Sequence, residues 1–446
     1  MSNLATECSS SILKWYTSRP WALSCDSVAY YCEPIDGGLT LIVEGCGEKA
    51  FAPISILPDG SVLELDSSAT WLNSILSSST AAFQSSCSGP RKIRELKIVS
   101  SGLRSISYEA VDEGGERLLI KALRRLENDN IEHLVLRYLT FVNYKRVPKF
   151  ICNLTYKSSP YIIITNFVDG FPAATAYVND ASNRSTANVN SIGPKIGLAI
   201  SELHNVMMTC SESWCRPEPI TDADIKRWLE RISWRSSWLR DKGSHMLPYS
   251  DRPLVYEAAD SLEELVSFLE PLAEKLLGRT KLRIHGDLHL YQIVESQKGD
   301  IYITDFEGEP YKMPASKLEK EPIARDLAAL ARSIDYAAMM GEQLRTGASL
   351  LQVSSWPPEE LLRWEKEAFK SLLESYVRNA ESKGLSNLLD GLSSLFFWLI
   401  ERASYESVYE IVARTGYHYV PLNAIIRYKE DFDELAKYVK EFSSQQ

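Results

Sequence analysis

The sequence predicts an α+β fold in two lobes, with a β-rich extension at the N-terminal end. Three observations carry this. Residues 91–168 alternate short apolar runs with polar turns: 95–99, 108–111, 117–122 and 160–165 read as strands, separated by Ser- and Gly-containing turns at 100–107 and 112–115. From about residue 169 the apolar spacing becomes mostly helical, with helices expected over 193–207, 222–241, 256–277, 387–414 and 429–442. Ahead of both lobes, 28–32, 39–43 and 51–57 read as strands around the turns Asp36-Gly37-Gly38 and Asp59-Gly60, and the Ser-rich stretch 77–90 marks a boundary. The expected division is therefore 1–90, an N-terminal cap subdomain; 91–168, a strand-rich lobe; and 169–446, a mostly helical lobe.

Composition narrows the function. Of the 446 residues 45% are hydrophobic and 24% charged, an ordinary globular balance. The net charge of -10 argues against nonspecific nucleic-acid binding, which needs a basic surface. Eight cysteines form no CxxC pair and no Cys/His group at zinc spacing. The opening residues lack a basic region and a long apolar run, and residues 395–400 are too few to span a bilayer. These features lead us to expect a cytoplasmic location with mostly reduced thiols, disulfides being the alternative for an intracellular protein of a hyperthermophile.

The chemistry concentrates in one stretch. His285-Gly286-Asp287 is followed five residues later by Gln292, then by a β-rich run at 301–304 that ends in Asp305. Taken singly, each Asp is more often a turn or capping residue. In this order they supply what phosphoryl transfer from a nucleotide requires: a carboxylate to take the proton of an attacking hydroxyl, then an amide and a second carboxylate as hard oxygen ligands for magnesium.

His285-Gly286-Asp287-Leu288-His289-Leu290-Tyr291-Gln292 and Asp305-Phe306-Glu307-Gly308-Glu309-Pro310 resemble the signature runs of the maltokinases, a branch of the aminoglycoside-phosphotransferase-like small-molecule kinases. Residues 322–338, which include Arg325, Asp326, Arg332 and Asp335, are similar to a further run of that family. The resemblance implies a bilobal protein-kinase-like fold with a cap whose opening holds Trp15, Arg19 and Trp21. It implies Asp287 as catalytic base, Gln292 and Asp305 as magnesium ligands, and His285, Glu307 and Asp326 in support. Glu309 matches a further signature position, and Tyr291 stands where the family has a small residue. The implied reaction is ATP- and magnesium-dependent phosphorylation of maltose to maltose 1-phosphate. The implied setting includes docking of a trehalose-converting enzyme on the cap.

Further residues take their roles from the same reading. Lys121 in the 117–122 strand is expected to reach nucleotide phosphates, with Glu132 on the following helix (130–141) as its partner and Ser105 and Ser107 offering donors to phosphate. The plainer reading of Lys121 is a strand residue pointing to water. Arg124-Arg125-Leu126-Glu127 matches a family run after that strand. Asn166, Phe167 and Val168 follow the 160–165 strand as the expected adenine-contacting hinge. His204 resembles a His that supports the catalytic loop, or else is a satisfied core His. Trp398, Arg402, Glu406, Glu410 and Arg414 recur every fourth residue and so share one helix face. Spacing alone favours a solvated salt-bridge stripe. The resemblance instead implies that Tyr405, Glu406, Glu410 and Arg414 bind the acceptor sugar. The alternatives are a glucosamine or other monosaccharide kinase on the same fold and, from another class, a nucleotide-binding pseudokinase or scaffold.

Overall fold

The structure is a computed structural model and describes residues 8–77, 80–87, 92–309, 318–348, 357–385, 389–413 and 416–444. The chain forms two compact units, one from Met1–Asp169 with Asp305–Leu318 and the other from Gly170–Thr304 with Glu319–Gln446.

The first unit holds two antiparallel sheets. Strands β1 (Ala29–Ile35), β2 (Gly38–Gly45), β3 (Glu48–Ile56) and β4 (Val62–Glu64) pair in sequence order, beside helix α1 (Ser10–Thr17). The β2–β3 hairpin turns on Cys46 and Gly47, both at positive φ, the backbone that matches the twist of a two-residue hairpin. Helix α2 (Ala69–Ser77) leads to a six-stranded sheet made of β5 (Phe83–Ser85), β6 (Ile93–Ser101), β7 (Ser105–Asp112), β8 (Arg117–Leu123), β9 (Phe150–Tyr156) and β10 (Ser159–Asn166), in the order β5-β9-β10-β8-β7-β6. Helix α3 (Glu132–Phe141) lies between β8 and β9 in the chain. Strand β7 begins at Ser105, three residues before the expected start, because burial alternates along its whole length.

That alternation sets the layers. Ile106, Tyr108 and Ala110 of β7 and Leu118, Ile120 and Ala122 of β8 join one core with Leu41, Val43 and Phe51 of the cap sheet. Directly after β8, Arg124 is fully buried and ion-paired with Glu64 and Asp66, while the hydroxyls of Tyr108 and Tyr161 also donate to Asp66. Arg125 donates to the Trp21 carbonyl at 2.7 Å and to Glu48 at 2.8 Å. The Arg-Arg-Leu-Glu run thus fastens the cap to the six-stranded sheet.

The second unit is mostly helical. A small antiparallel sheet of β11 (Gly170–Pro172), β12 (Ile293–Ser296) and β13 (Ile301–Ile303) carries the segment from Asp287 onward. The helices are α4 (Ala173–Asn183), α5 (Ala187–Met208), α6 (Asp222–Trp238), α7 (Arg252–Glu274), α8 (Ala324–Thr346), α9 (Glu359–Ser382), α10 (Leu395–Ala413) and α11 (Tyr419–Ser444). Helix α11 starts ten residues before the expected 429. A Thr221–Asp224 capping box opens α6. Helices α5 and α9 approach closely at Gly197, where a Cβ would meet the Leu372 carbonyl oxygen at 2.1 Å. Trp228, Trp398, Phe397 and the apolar face of α7 form the core of this unit.

The cysteines correct one expectation. Rather than reduced thiols, the structure holds four disulfides: Cys8–Cys32, Cys25–Cys46, Cys87–Cys152 and Cys210–Cys215, with Cα–Cα distances of 4.8–6.0 Å. Sequence spacing concealed them because three of the four join residues brought together by strand pairing or by the cap. Among the described residues no helix is long and apolar enough to cross a membrane.

Candidate active site

In the second unit the His-Gly-Asp turn is held by the first turns of α8. Asp326 accepts from the backbone N–H groups of His285 at 2.8 Å and Gly286 at 2.9 Å, and its Oδ2 lies 3.2 Å from His204 Nε2. The Tyr376 hydroxyl meets the other His204 nitrogen at 2.9 Å. Arg325 donates to the Gly286 carbonyl, and Leu290 N–H donates to Ser333 Oγ. Gly286 takes φ +86, open to glycine without strain. His285 accepts the Asp287 N–H at Nδ1, so its Nε2–H donates to the Thr304 carbonyl at 2.9 Å. The turn is thereby tied to the strand end that precedes Asp305.

Asp287 is 8% exposed. Arg402 Nη2 donates to its Oδ1 at 2.9 Å, and Oδ2 lies 3.9 Å from His289 Nε2. Burial alone would raise this carboxyl. Arg402, then His289 and His285, outweigh burial and hold it below the usual carboxylate range. Asp326 is likewise held low, burial being outweighed by His204, His285 and the Gly286 N–H. Gln292 stands at the end of the loop, with its carbonyl accepting from the Thr304 N–H and its side chain 3.4 Å from His289 Nε2. Tyr291 is half exposed, its hydroxyl 3.6 Å from Met340 Sδ.

The stripe on α10 is buried: Trp398, Arg402, Glu406 and Glu410 are at most 7% exposed, which excludes the solvated-ladder reading. Glu406 accepts from Arg402 Nε at 3.0 Å and from Arg332 Nε at 2.9 Å. Arg332 pairs in turn with Asp335, which Arg427 also approaches at 3.3 Å. The Tyr336 hydroxyl donates to Glu410 at 3.1 Å, and the Tyr405 ring stacks on Tyr409 and lies under Arg402. Arg414 lies outside the described residues. One turn earlier, fully buried Glu401 is surrounded by Arg231, Arg235 and Arg325, which hold it far below the ordinary carboxylate range despite burial. Sequence reasoning assigned no role to Arg402, Glu401 or the arginines around them. For Arg402 the only sequence signal was the four-residue spacing, which a solvent-facing helix shares.

In the first unit, Lys121 and Ser107 are register partners on β8 and β7, on the face opposite the core, and Ser105 follows on that face. Lys121 Nζ lies 2.8 Å from Glu132, 2.5 Å from Asp305 and 3.4 Å from Glu307. Burial would depress the lysine, but Asp305, Glu132 and Glu307 hold it well above its ordinary value. Burial, reinforced by the neighbouring Asp305 and Glu307, pushes Glu132 up to about 7 against the pull of Lys121. One oxygen each from Glu132, Asp305 and Glu307 lies within 4.8 Å of the others, a hard-oxygen donor set suited to a divalent cation. Asp305 sits at φ +66, a left-handed backbone unusual outside glycine. Glu309, on the same returning segment, is buried. At the expected hinge the N–H groups of Asn166 and Phe167 already bond to the carbonyls of Lys149 and Arg117. The Phe167 ring carries the Arg117 guanidinium at 4.5 Å, and Val168 is half-buried.

Comparison with known proteins gives a consistent fold. No family model matches the chain. It is 27% identical over 175 residues to a glucosamine kinase of Mycolicibacterium smegmatis, covering 39% of this chain and 40% of that protein. It is 22% identical over 172 residues to a glucosamine kinase of Streptacidiphilus jiangxiensis, covering 39% and 35%. The match therefore spans about two fifths of the length of these relatives. Among solved structures, a glucosamine kinase (crystal form B) superposes with a TM-score of 0.64 at 16% identity, covering 95% of this chain and 98% of that one. A glucosamine kinase in complex with glucosamine, ADP and inorganic phosphate gives 0.63 at 16% identity, covering 94% and 99%. Together these likenesses establish the protein-kinase-like phosphotransferase fold for this chain.

Proposed function

We propose that the chain is a sugar kinase that uses ATP with magnesium. The observation that carries this reading is the Asp287 turn: a buried carboxylate kept ionised by Arg402 and braced from behind by Asp326. In the proposed step Asp287 takes the proton of an acceptor hydroxyl as that oxygen bonds to the γ-phosphorus and the bond to ADP breaks. In a loose phosphoryl-transfer transition state little proton transfer is needed before the bond to ADP breaks, so an ionised, oriented carboxylate suffices.

The first unit supplies the nucleotide side. Lys121, Ser105 and Ser107 share the sheet face that would meet phosphate oxygens, and residues 166–168 the adenine. Within the first unit Asp305 and Glu307, beside Glu132, would hold magnesium, which when bound neutralises phosphate charge; Gln292 is proposed as a ligand from the sequence order alone. Thr304 and Asp305, consecutive in the chain, join the strand that anchors His285 to the carboxylate beside Lys121.

For the acceptor, the names of the sequence relatives and of the superposed structures favour glucosamine. A second reading, maltose, rests on the resemblance of the 285–292 and 305–310 runs. Tyr405 and Glu410 are the residues proposed to meet the sugar. Four disulfides suit an oxidising compartment or the cytoplasm of a hyperthermophile. The test is magnesium-dependent ADP release from ATP over a panel including glucosamine, glucose and maltose. Sugar-dependent release with one acceptor supports the reading, and its absence across the panel refutes it.

A further inference from the structure

The ion pairs on α10 assign a role that neither the sequence nor the comparisons suggested. From Asp287 a chain of alternating charges runs inward through Arg402, Glu406, Arg332 and Asp335 to Arg427. All but Arg427 are at most 8% exposed. Arg402 is held at two points, with Nη2 on Asp287 Oδ1 and Nε on Glu406 Oε1. The other Glu406 oxygen is taken by Arg332. Both carboxylate oxygens of Glu406 are thus engaged by guanidinium groups before any ligand arrives.

We propose that Arg402 is a positioning residue for the base and that Glu406 acts through Arg402 rather than on the sugar. This deepens the sugar-kinase reading and rests on it. A guanidinium is a planar fork, so anchoring one nitrogen on Glu406 fixes the direction in which another meets Asp287. With Oδ1 locked, the Asp287 side chain has one orientation, and Oδ2, beyond hydrogen-bond distance of His289, is the oxygen presented to the acceptor hydroxyl. The titratable groups facing Asp287 are Arg402 from α10 and His289 and His285 from its own loop. Arg332 and Asp335 on α8 and Arg427 on α11 brace Glu406 from behind.

The experiment compares the full-length wild type with Arg402→Met, Arg402→Lys, Glu406→Gln and the double variant Arg402→Met/Glu406→Gln. It measures kcat and KM with ATP and the sugar that the wild type turns over, after thermal unfolding has verified the fold. Loss of orientation at a reacting group costs about 100-fold, so Arg402→Met should lower kcat by about that factor with sugar KM unchanged. Arg402→Lys should recover part of the loss, because the positive charge remains while the fork is gone. Glu406→Gln should lower kcat in the wild type and have no further effect on top of Arg402→Met. A Glu406→Gln effect that appears in sugar KM, or that persists undiminished beside Arg402→Met, overturns the proposal. If Arg402→Met does not fold, Arg402→Lys with and without Glu406→Gln makes the same comparison. A wild type that turns over no sugar overturns the kinase reading and this proposal with it, an outcome distinct from turnover with additive effects.

Discussion

Asp326→Asn tests most directly how the Asp287 turn is built. The native carboxylate takes the His285 N–H and His204 on Oδ2 and the Gly286 N–H on Oδ1. An Asn in the same rotamer keeps one carbonyl oxygen. If that oxygen replaces Oδ2, the amide NH2 points at the Gly286 N–H, donor against donor. The variant then loses one hydrogen bond to a charged group, worth about 1.5–3 kcal/mol, at a half-buried N–H. The expected cost is about 1.5–3 kcal/mol, a sizeable share of the 5–15 kcal/mol typical of a folded domain. Urea unfolding followed by tryptophan fluorescence should show a lower midpoint for the unit that holds Asp326, with turnover falling as the turn loosens. There is also a pH signature. The folded-state carboxyl lies below its unfolded value, near 3.9, so its stabilisation is present above that pH and lost as pH falls through the lower folded value. Asp326→Asn should remove this part of the acid sensitivity. Stability within about 0.5 kcal/mol of wild type, the range of an inconsequential surface change, would refute the bracing argument.

Other outcomes follow from the same geometry. Asp287→Asn should lower kcat by about 10²–10⁴-fold while nucleotide affinity, read by calorimetry, stays near wild type. Lys121→Met removes the cation among Glu132, Asp305 and Glu307, so the nucleotide Kd should rise, and added magnesium should raise Tm more in the variant than in the wild type. An equal magnesium response in both would show that the three carboxylates hold no cation. The native protein should present no thiol to Ellman's reagent until reduced, since all eight cysteines are paired. Opening Cys87–Cys152, which spans 65 residues, should cost about 4 kcal/mol by loop-closure entropy, readable as a fall in stability of Cys87→Ser/Cys152→Ser.

Much of the fold was legible because it is local. Alternation along residues 105–112 and 117–123 encodes strands with one buried face, and a Lys on the other face of the second strand has to lie opposite the core. The order of Asp287, Gln292 and Asp305 was legible for the same reason: one loop and one hairpin hold all three.

The sequence by itself thus determined an α+β chain with strand-rich and helical portions, a lysine on the face of β8 away from the core, and a turn that delivers Asp287. Only the tertiary structure decided which face of α10 is buried. Arg402 and Glu406 are four residues apart on a buried helix face as they would be on a solvated one, and the difference lies in Asp287 and Arg332, 115 and 74 residues away along the chain. Only tertiary structure could pair Cys87 with Cys152, because the register of β5 against β9 sets that neighbourhood and no spacing rule encodes it. Helix and strand periodicity is a property of a few consecutive residues. Charge pairing in a core depends on desolvation, which exists only after distant segments have packed.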